Sequence, residues 1–375
     1  MTGNSEILYH VSKGVGWIKF NRSHALNALS FEMIESLYKV LQKWKNDDCV
    51  AIICIEGEGD KAFCAGGDVR ALYDLRDSNV EEYALKFFSM EYRMNMTMHT
   101  YPKPILAYIN GIVMGGGVGV SMGASHRIIT EKTKWAMPEM NIGLYPDVGG
   151  SYFLTRMPGY VGRYLALTSV TIGPVDVLYA GAADYFIDSR AWGDVKAVIE
   201  GMTWIKDSAE LQLNVLLAVS QQVISSKNFQ MNLLNESTLA LTEEKITEHF
   251  ALERIEDIIS RLEASAENGD LWAKETLDIL LEKSPTSLKV TLQQLIKGEK
   301  KNLFDCFMME LEMSMNFMKS HDFYEGVRAV LVDKDRMPRW KPKTLSDVAE
   351  EDISAFFTYR WKNGQNPLEE FSSMF

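Results

Sequence analysis

The sequence predicts an α/β fold of ββα units wound one after another, followed by a helical C-terminal region. Three observations point there. The order strand, glycine-rich turn, helix occurs twice, first from residue 50 through KAFCAGGDVR and again over residues 105–123. The strands opening these units, residues 50–55 and 105–109, are unbroken apolar runs, the pattern of strands buried on both faces of a parallel sheet. From about Ala191 onward glycine becomes scarce and helical periodicity replaces strand-like runs.

Taken in order, residues 7–11 and 15–20 alternate as strands, with Lys13 and Gly14 as the turn between them. The polar segment NRSHALNALS follows and ends on Ser30, placed to cap a helix. Beyond it Phe31, Ile34, Leu37, Leu41 and Trp44 recur at helical spacing, and Glu32 and Glu35 occupy the first turn, where the helix dipole favours acids. After the strand at 50–55 and the loop KAFCAGGDVR comes a short helix through Ala71, Leu72 and Leu75. A longer helix spans Val80 to His99, and on it Ala84, Phe87 and Phe88 share a face with Glu91. A carboxylate on an apolar face needs a partner or a task, so Glu91 either accepts loop N–H groups or touches a ligand.

The stretch 105–150 organises the rest. Its strand leads through Asn110 and Gly111 into Gly115, Gly116 and Gly117, then into a segment of small residues. Glycines at a strand-to-helix turn let a ligand approach bare backbone, and the first helical amides lack partners. Together with the positive end of the helix dipole they attract developing negative charge. Two such turns can place two N–H groups on one carbonyl oxygen, an oxyanion hole in which each donor contributes on the order of 3 kcal/mol. Downstream, WAMPEMNIGLYPDVGGSYFL supplies Glu139 and Asp147 in an apolar, Gly/Pro-rich setting. Each acid alone reads as a turn residue; occurring with both glycine loops, they point to acyl chemistry. Neither a phosphate-binding GxxxxGK[ST] nor a dinucleotide glycine spacing is present.

In the C-terminal region the pattern predicts a helix over residues 252–266 with a stripe of Ile255, Ile258, Ile259 and Leu262, and a second after Asp270. A third begins at Ser284 and Pro285, a cap followed by proline at the first helical position, and ends near Gly298. Residues 308–318 form a methionine-rich fourth, read as core filler or interface. Residues 333–343 reverse the local charge, with Lys334, Arg336, Arg339, Lys341 and Lys343 against two aspartates. A solvated charge run accounts for that as well as an anion site does.

Composition narrows the function. With 375 residues the chain is long enough for two domains or one domain with an extension. A net charge of −12 argues against a nucleic-acid surface while allowing an anionic small ligand held by a local basic cluster. The four cysteines, at 49, 54, 64 and 306, have no metal-ligand spacing and fit reduced thiols. No apolar run spans a bilayer, and MTGNSEILYH has neither signal-peptide nor transit character, so a soluble, cytoplasmic protein is expected. His24 and His126 fit no triad with Ser or Cys, and Cys64 lacks an evident base.

FCAGGDVR, INGIVMGGGVG and AMPEMNIGLYPDVGGSYFL, in that order and spacing, resemble the crotonase (enoyl-CoA hydratase/isomerase) superfamily, most closely its 3-hydroxyisobutyryl-CoA hydrolase branch. The likeness covers residues 5–190 and resumes through SPTSLKVT and EGVRAVLVDKDRMPRW. It implies a crotonase-like ββα spiral core over residues 1–195 and a helical region over 196–375, within which 283–345 resemble the family's terminal helices. It also implies oxyanion-hole amides at Gly67 and Gly116, a catalytic Glu139 and Asp147, and substrate contact at Glu91, Gly116, Glu139 and Asp147. The superfamily's hydratases carry a second glutamate after the glycine turn, where this chain has Gly119, and tend to have glycine where it has Asp147. The hydrolase branch shows the arrangement found here.

The expected reaction is therefore hydrolysis of a short 3-hydroxyacyl-CoA, most closely 3-hydroxyisobutyryl-CoA in valine degradation. Glu139 would act as nucleophile or general base while Asp147 orients water or the substrate hydroxyl. Coenzyme A is part of the substrate and no separate cofactor or metal is implied. Its contacts are expected at Ala25, Leu26 and Ala65 and, in the basic stretch, at Lys334. Nucleic-acid and membrane partners are not expected. The segment 196–283 is expected to pack over the core, narrowing the acyl pocket or serving a homo-oligomer contact. A eukaryotic source would move the compartment to the mitochondrial matrix. Two alternatives stay open: an isomerase or hydratase of the same superfamily, and a non-catalytic acyl-CoA-binding subunit.

Overall fold

The computed structural model describes residues 5–224 and 236–374, so residues 225–235 of the 196–283 segment and residues 1–4 of the MTGNSEILYH start lie outside the described part. Strands β1 (Ile7–Ser12) and β2 (Val15–Phe20) pair antiparallel, joined as expected at Lys13 and Gly14. Both turn residues have positive φ, 49° and 84°, which matches the twist of a tight hairpin. Helix α1 (Phe31–Lys45) starts where Ser30 Oγ accepts the Met33 N–H at 3.1 Å, and it buries Phe31, Ile34, Leu37, Leu41 and Trp44.

Then follow β3 (Ile52–Gly57), β4 (Ala62–Cys64), α2 (Val69–Asp74), α3 (Val80–His99), β5 (Ile105–Ile109) and β6 (Ile112–Met114). The chain continues with α4 (Gly116–Met122), β7 (His126–Ile129), β8 (Lys134–Ala136), α5 (Gly150–Phe153), α6 (Val161–Thr168), α7 (Pro174–Tyr179) and β9 (Tyr185–Phe186). Its helical remainder comprises α8 (Trp192–Gly201), α9 (Ala209–Ile224), α10 (Thr238–Phe250), α11 (Ile255–Glu267), α12 (Leu271–Leu281), α13 (Pro285–Gly298), α14 (Leu303–Phe317), α15 (His321–Val327) and α16 (Glu350–Ala355).

The described chain divides into two compact units, each assembled from three stretches. Unit 1 holds Met1–Gly67, Arg93–Ala136 and Thr171–Leu241; unit 2 holds Asp68–Tyr92, Met137–Val170 and Thr242–Phe375. The boundary at 195/196 expected from the sequence falls inside α8, within unit 1.

Unit 1 contains both sheets. The larger runs β1-β2-β3-β5-β7-β9, parallel throughout except for the first pair. One face of the sheet is covered by α8 and α9, where Val195, Ile199, Leu213 and Leu217 pack with Trp17, Ile52, Leu106 and Ile128. The smaller sheet, β4-β6-β8, is parallel and built from three-residue strands, too short to show a period in the sequence.

Unit 2 is helical. Its caps follow the predicted chemistry: Asp270 accepts the Trp272 and Ala273 N–H groups at the start of α12, and Ser284 accepts the Ser287 N–H at the start of α13, with Pro285 in the first turn. Met309, Met313 and Met315 of α14 are buried, in keeping with a core-filling role.

Candidate active site

In unit 1, β4 and β6 lie side by side and each ends in a glycine turn. After β4, Ala65 donates its N–H to the Leu26 carbonyl at 3.0 Å, and the Gly66 carbonyl accepts the Leu29 N–H at 2.8 Å. After β6, Gly115 takes φ 48° and ψ −121°, and α4 starts at Gly116. The two turns touch. A Cβ at Gly66, where φ is +114°, would lie 3.3 Å from the Met114 carbonyl and 3.7 Å from the Gly116 nitrogen. A Cβ at Gly117 would stand 2.3 Å from the Cys64 carbonyl, so only glycine lets the strand and helix approach this closely. Gly116 occupies the first helical position, whose N–H has no intrahelical acceptor. Among the described residues neither the Gly67 nor the Gly116 N–H donates a hydrogen bond.

The loop proposed for coenzyme A belongs to the same unit. Residues 23–25 form a single 3-10 turn, Leu26 and Asn27 take φ of 52° and 56°, and buried Asn27 Nδ2 bonds the Ala62 carbonyl at 2.9 Å. Ala25, Leu26 and Ala65 are thereby tied to the start of the first glycine turn.

In unit 2, the structure brings Glu91, Glu139 and Asp147 into one buried group, none more than 6% exposed. Glu91 comes from α3, and Glu139 opens the 3-10 turn Glu139–Ile142 after Pro138. Asp147 lies in the following loop, where Val148 and Gly149 have φ of 52° and 91°. Tyr92 Oη donates to Asp147 Oδ2 at 2.8 Å. Burial pushes the Asp147 carboxyl up to about 6, against that hydrogen bond, which favours the charged form. Burial first, then repulsion from Asp147, raises both Glu91 and Glu139 well above the ordinary carboxylate value. Among the described residues, Glu91 Oε1 and Glu139 Oε2 are buried without a hydrogen-bond partner. Glu91 therefore does not serve as a loop cap, one of the two roles its position allowed. Three acids raised by burial in one group mark a candidate functional site.

Sequence reasoning missed the second layer of this group. Ser314 Oγ lies 2.8 Å from Tyr92 Oη and 2.7 Å from Tyr145 Oη, and Glu310 accepts the Gly149 and Ser151 N–H groups at 2.8 and 2.9 Å. A signal existed: Glu310 shares a helical face with Cys306, Phe307, Met313 and Phe317, the same pattern that marked Glu91. Lys334, also in unit 2, is exposed, as are Arg336, Arg339, Lys341 and Lys343. The two aspartates of that stretch, Asp333 and Asp335, are each bound by Arg328 at 2.7 Å.

The remaining polar candidates are structural. His126 bonds Ser125 and Asn214 through its two ring nitrogens and stacks on Tyr185. None of the four cysteines is in a disulfide, and among the described residues no cluster of His, Cys, Asp or Glu has metal-binding geometry. Nor is any described helix long and apolar enough to cross a membrane.

A profile of the family described as enoyl-CoA hydratase/isomerase matches residues 15–357. The chain belongs to that family. Among curated relatives it is 42% identical over 356 residues to the mitochondrial 3-hydroxyisobutyryl-CoA hydrolase of Danio rerio, covering 94% of this chain and 90% of the relative. With the Homo sapiens protein of the same name it shares 39% over 354 residues, 94% and 88% of the two chains. Among solved structures, an enoyl-CoA hydratase from Rhodobacter sphaeroides superposes with a TM-score of 0.83 at 34% identity, over 94% of this chain and 97% of that one. A carnitinyl-CoA dehydratase from Mycobacterium thermoresistibile gives 0.84 at 35%, over 95% and 97%. The family's α/β fold, with its helical C-terminal region, is thus the fold of this chain.

Proposed function

We propose that this chain hydrolyses the thioester of a short 3-hydroxyacyl-CoA, with 3-hydroxyisobutyryl-CoA as the best-fitting substrate, releasing 3-hydroxyisobutyrate and coenzyme A in valine degradation. The observation that carries this reading is Asp147, buried and held by Tyr92 in one group with Glu139, in a chain whose position after the glycine turn is Gly119. Adding water across a double bond by a concerted route calls for an acid at that second position; thioester hydrolysis does not. The names of the curated relatives support the same reaction.

In the proposed mechanism the amides of Gly67 and Gly116 receive the thioester oxygen and stabilise the charge it gains as the carbonyl carbon becomes tetrahedral. Glu139 either attacks that carbon or removes a proton from the attacking water, Asp147 orients the water or the substrate hydroxyl, and Glu91 contacts the acyl group. Where water attacks, a C–O bond forms, the C–S bond breaks and the departing thiolate takes up the proton that Glu139 removed. Where Glu139 attacks, the anhydride it forms in place of the C–S bond is cleaved by water, which frees the acid, restores Glu139 and supplies the thiolate's proton. Glu139 must lose its proton to act, although burial and the charge on Asp147 favour the protonated form in the ligand-free protein. Ala25, Leu26, Ala65 and Lys334 are proposed contacts of coenzyme A, which enters as part of the substrate, so the reaction calls for no further cofactor. The relatives' names place those proteins in mitochondria; a reducing compartment, matrix or cytoplasm, suits four cysteines that form no disulfide. Homo-oligomer formation is proposed for the 196–283 segment, to be read by analytical ultracentrifugation.

The deciding experiment measures free thiol release across a panel of short acyl-CoAs, alongside loss of the enoyl chromophore. Thiol release that is fastest with short 3-hydroxyacyl groups supports the hydrolase. Chromophore loss without thiol release turns the assignment to a hydratase or isomerase, and binding without either turns it to a non-catalytic acyl-CoA-binding subunit.

A further inference from the structure

The backbone around Asp147 is in a conformation that its own residues disfavour. Val148, immediately after it, is β-branched yet has φ +52°, a left-handed conformation that such residues strongly disfavour. Such conformations persist only where surrounding structure over-determines them. Two side chains from distant helices do so here. Ahead of Asp147, Gln294 Nε2 of α13 donates to the Pro146 carbonyl at 2.6 Å and to Ser151 Oγ at 2.8 Å. Behind it, Glu310 of α14 accepts the Gly149 N–H on Oε2 and the Ser151 N–H on Oε1.

The same helix also reaches the Asp147 side chain. Ser314 sits one turn after Glu310, on the same face, so both residues of this pair point into the Asp147 group. The protons can be assigned. Tyr145 Oη gives its proton to the Glu310 carbonyl at 2.5 Å and Tyr92 Oη gives its own to Asp147, which leaves the single Ser314 hydroxyl proton to be donated to Tyr92 Oη, 2.8 Å away. Every hydroxyl proton then has an acceptor, and Asp147 receives one donor in a fixed direction.

We infer that Glu310 is a positioning residue for Asp147: its two carboxyl oxygens clamp the Val148 turn while Ser314, one turn along α14, fixes the Tyr92 hydroxyl that aims the Asp147 carboxyl group. The inference rests on the reading of Asp147 as part of a hydrolytic site, and it adds a residue that touches no substrate. Charged and titratable groups facing Asp147 are Glu91, Glu139, Glu310, Tyr92 and Tyr145.

The test compares Glu310→Gln and Tyr92→Phe in the full chain. Glutamine keeps one acceptor and turns an NH2 toward the second amide. Folding is checked by melting temperature, and turnover is split into kcat and KM. The Asp147 carboxyl is titrated by carbon-13 NMR, assigned by its loss in Asp147→Asn. Folded Glu310→Gln should lose about 10–100-fold in kcat with KM within about two-fold, as expected when a reacting group is misplaced. Tyr92→Phe should make Asp147 titrate at higher pH, because the ionised form loses its donor. A folded Glu310→Gln with wild-type kcat, or a loss of kcat that only tracks the folded fraction, overturns the proposal. Should Glu310→Gln not fold, Ser314→Ala leaves the clamp intact; it should lower kcat and raise the Asp147 titration, and no change in either overturns the proposal. The titration needs no turnover, so a wild-type protein that releases no thiol would sink the hydrolase reading while leaving the Tyr92–Asp147 arrangement testable by itself.

Discussion

In unit 1 the candidate chemistry is made of backbone, the amides of Gly67 and Gly116, and the residues that matter are those with no side chain. In unit 2 it is made of side chains, acids held out of water by partners that arrive from far along the chain. Glycine turns next to short parallel strands announce themselves locally, because only glycine satisfies φ +114° at residue 66 or the 2.3 Å approach at residue 117. Buried acids do not. Glu91 and Glu139 each keep one carboxyl oxygen buried without a hydrogen-bond partner among the described residues, and that is visible only once the packing is known. Backbone chemistry is therefore cheap to hold, whereas side-chain chemistry is held against a standing electrostatic cost.

Substitution should separate the two kinds of group. The largest effects are expected in unit 2. Glu139→Gln and Asp147→Asn should each reduce thiol release by about 10²–10⁴-fold, the range for a lost acid–base group. At pH 8 Asp147→Asn should nevertheless melt higher than wild type, since it replaces a buried charge by a neutral group of the same shape. A drop in activity accompanied by a drop in melting temperature would assign the acids to the fold instead of the chemistry. In unit 1, Gly116→Pro removes one N–H at the first helical position, where proline is tolerated. Thiol release should fall about 10²–10³-fold with the far-UV circular dichroism unchanged, and wild-type turnover would take that amide out of the mechanism.

The comparison also sets a pH dependence of stability. The folded state holds protons on Asp147 up to about 6 and on Glu310 up to about 8, both raised by burial, whereas the unfolded chain releases them near the ordinary carboxylate values. Because the folded state then binds more protons, stability is greatest below those ordinary values and is lost as pH rises through about 6 and about 8. Between pH 5 and 8 urea unfolding should show a loss on the order of 5 kcal/mol, most of it from Glu310, and Asp147→Asn should flatten the slope. A stability that climbs over that interval would contradict the buried-acid picture. The smallest effect is expected away from the chemistry. Asn302 caps α14 by accepting the Asp305 N–H, and Asn302→Ala should cost about 1 kcal/mol with kcat unchanged.

Much of unit 1 could be read in the sequence because its determinants are local. Lys13 and Gly14 make the hairpin, Ser30 caps α1, and the apolar runs at β3 and β5 are buried strands. The caps at Asp270 and Ser284 followed for the same reason. The small sheet was not legible, since three residues cannot display a period of two. Among the acids, Glu91 was found by its place on an apolar helical face, and Glu139 and Asp147 by their pairing with the glycine loops. Of their support only Glu310 carried a local signal, its place on an apolar helical face, and what it and Ser314 hold was out of reach. Glu310 meets Gly149 across 161 positions and Ser314 meets Tyr92 across 222, and no spacing rule reaches that far. The methionines around Glu310 further disguised it, since a Met-rich helix reads first as filler.

The way the two units alternate along the polypeptide has a consequence for biosynthesis. Each is stitched from three stretches, and the last stretch of unit 1 ends only at Leu241. A nascent chain leaving the ribosome thus carries incomplete versions of both until late in translation, with β7 waiting for its partner β9 and β5 for the covering helices α8 and α9. For the same reason no single cut releases either unit intact, so truncation is a poor route to a smaller working protein, and chaperone demand during synthesis should be high for a chain of this length.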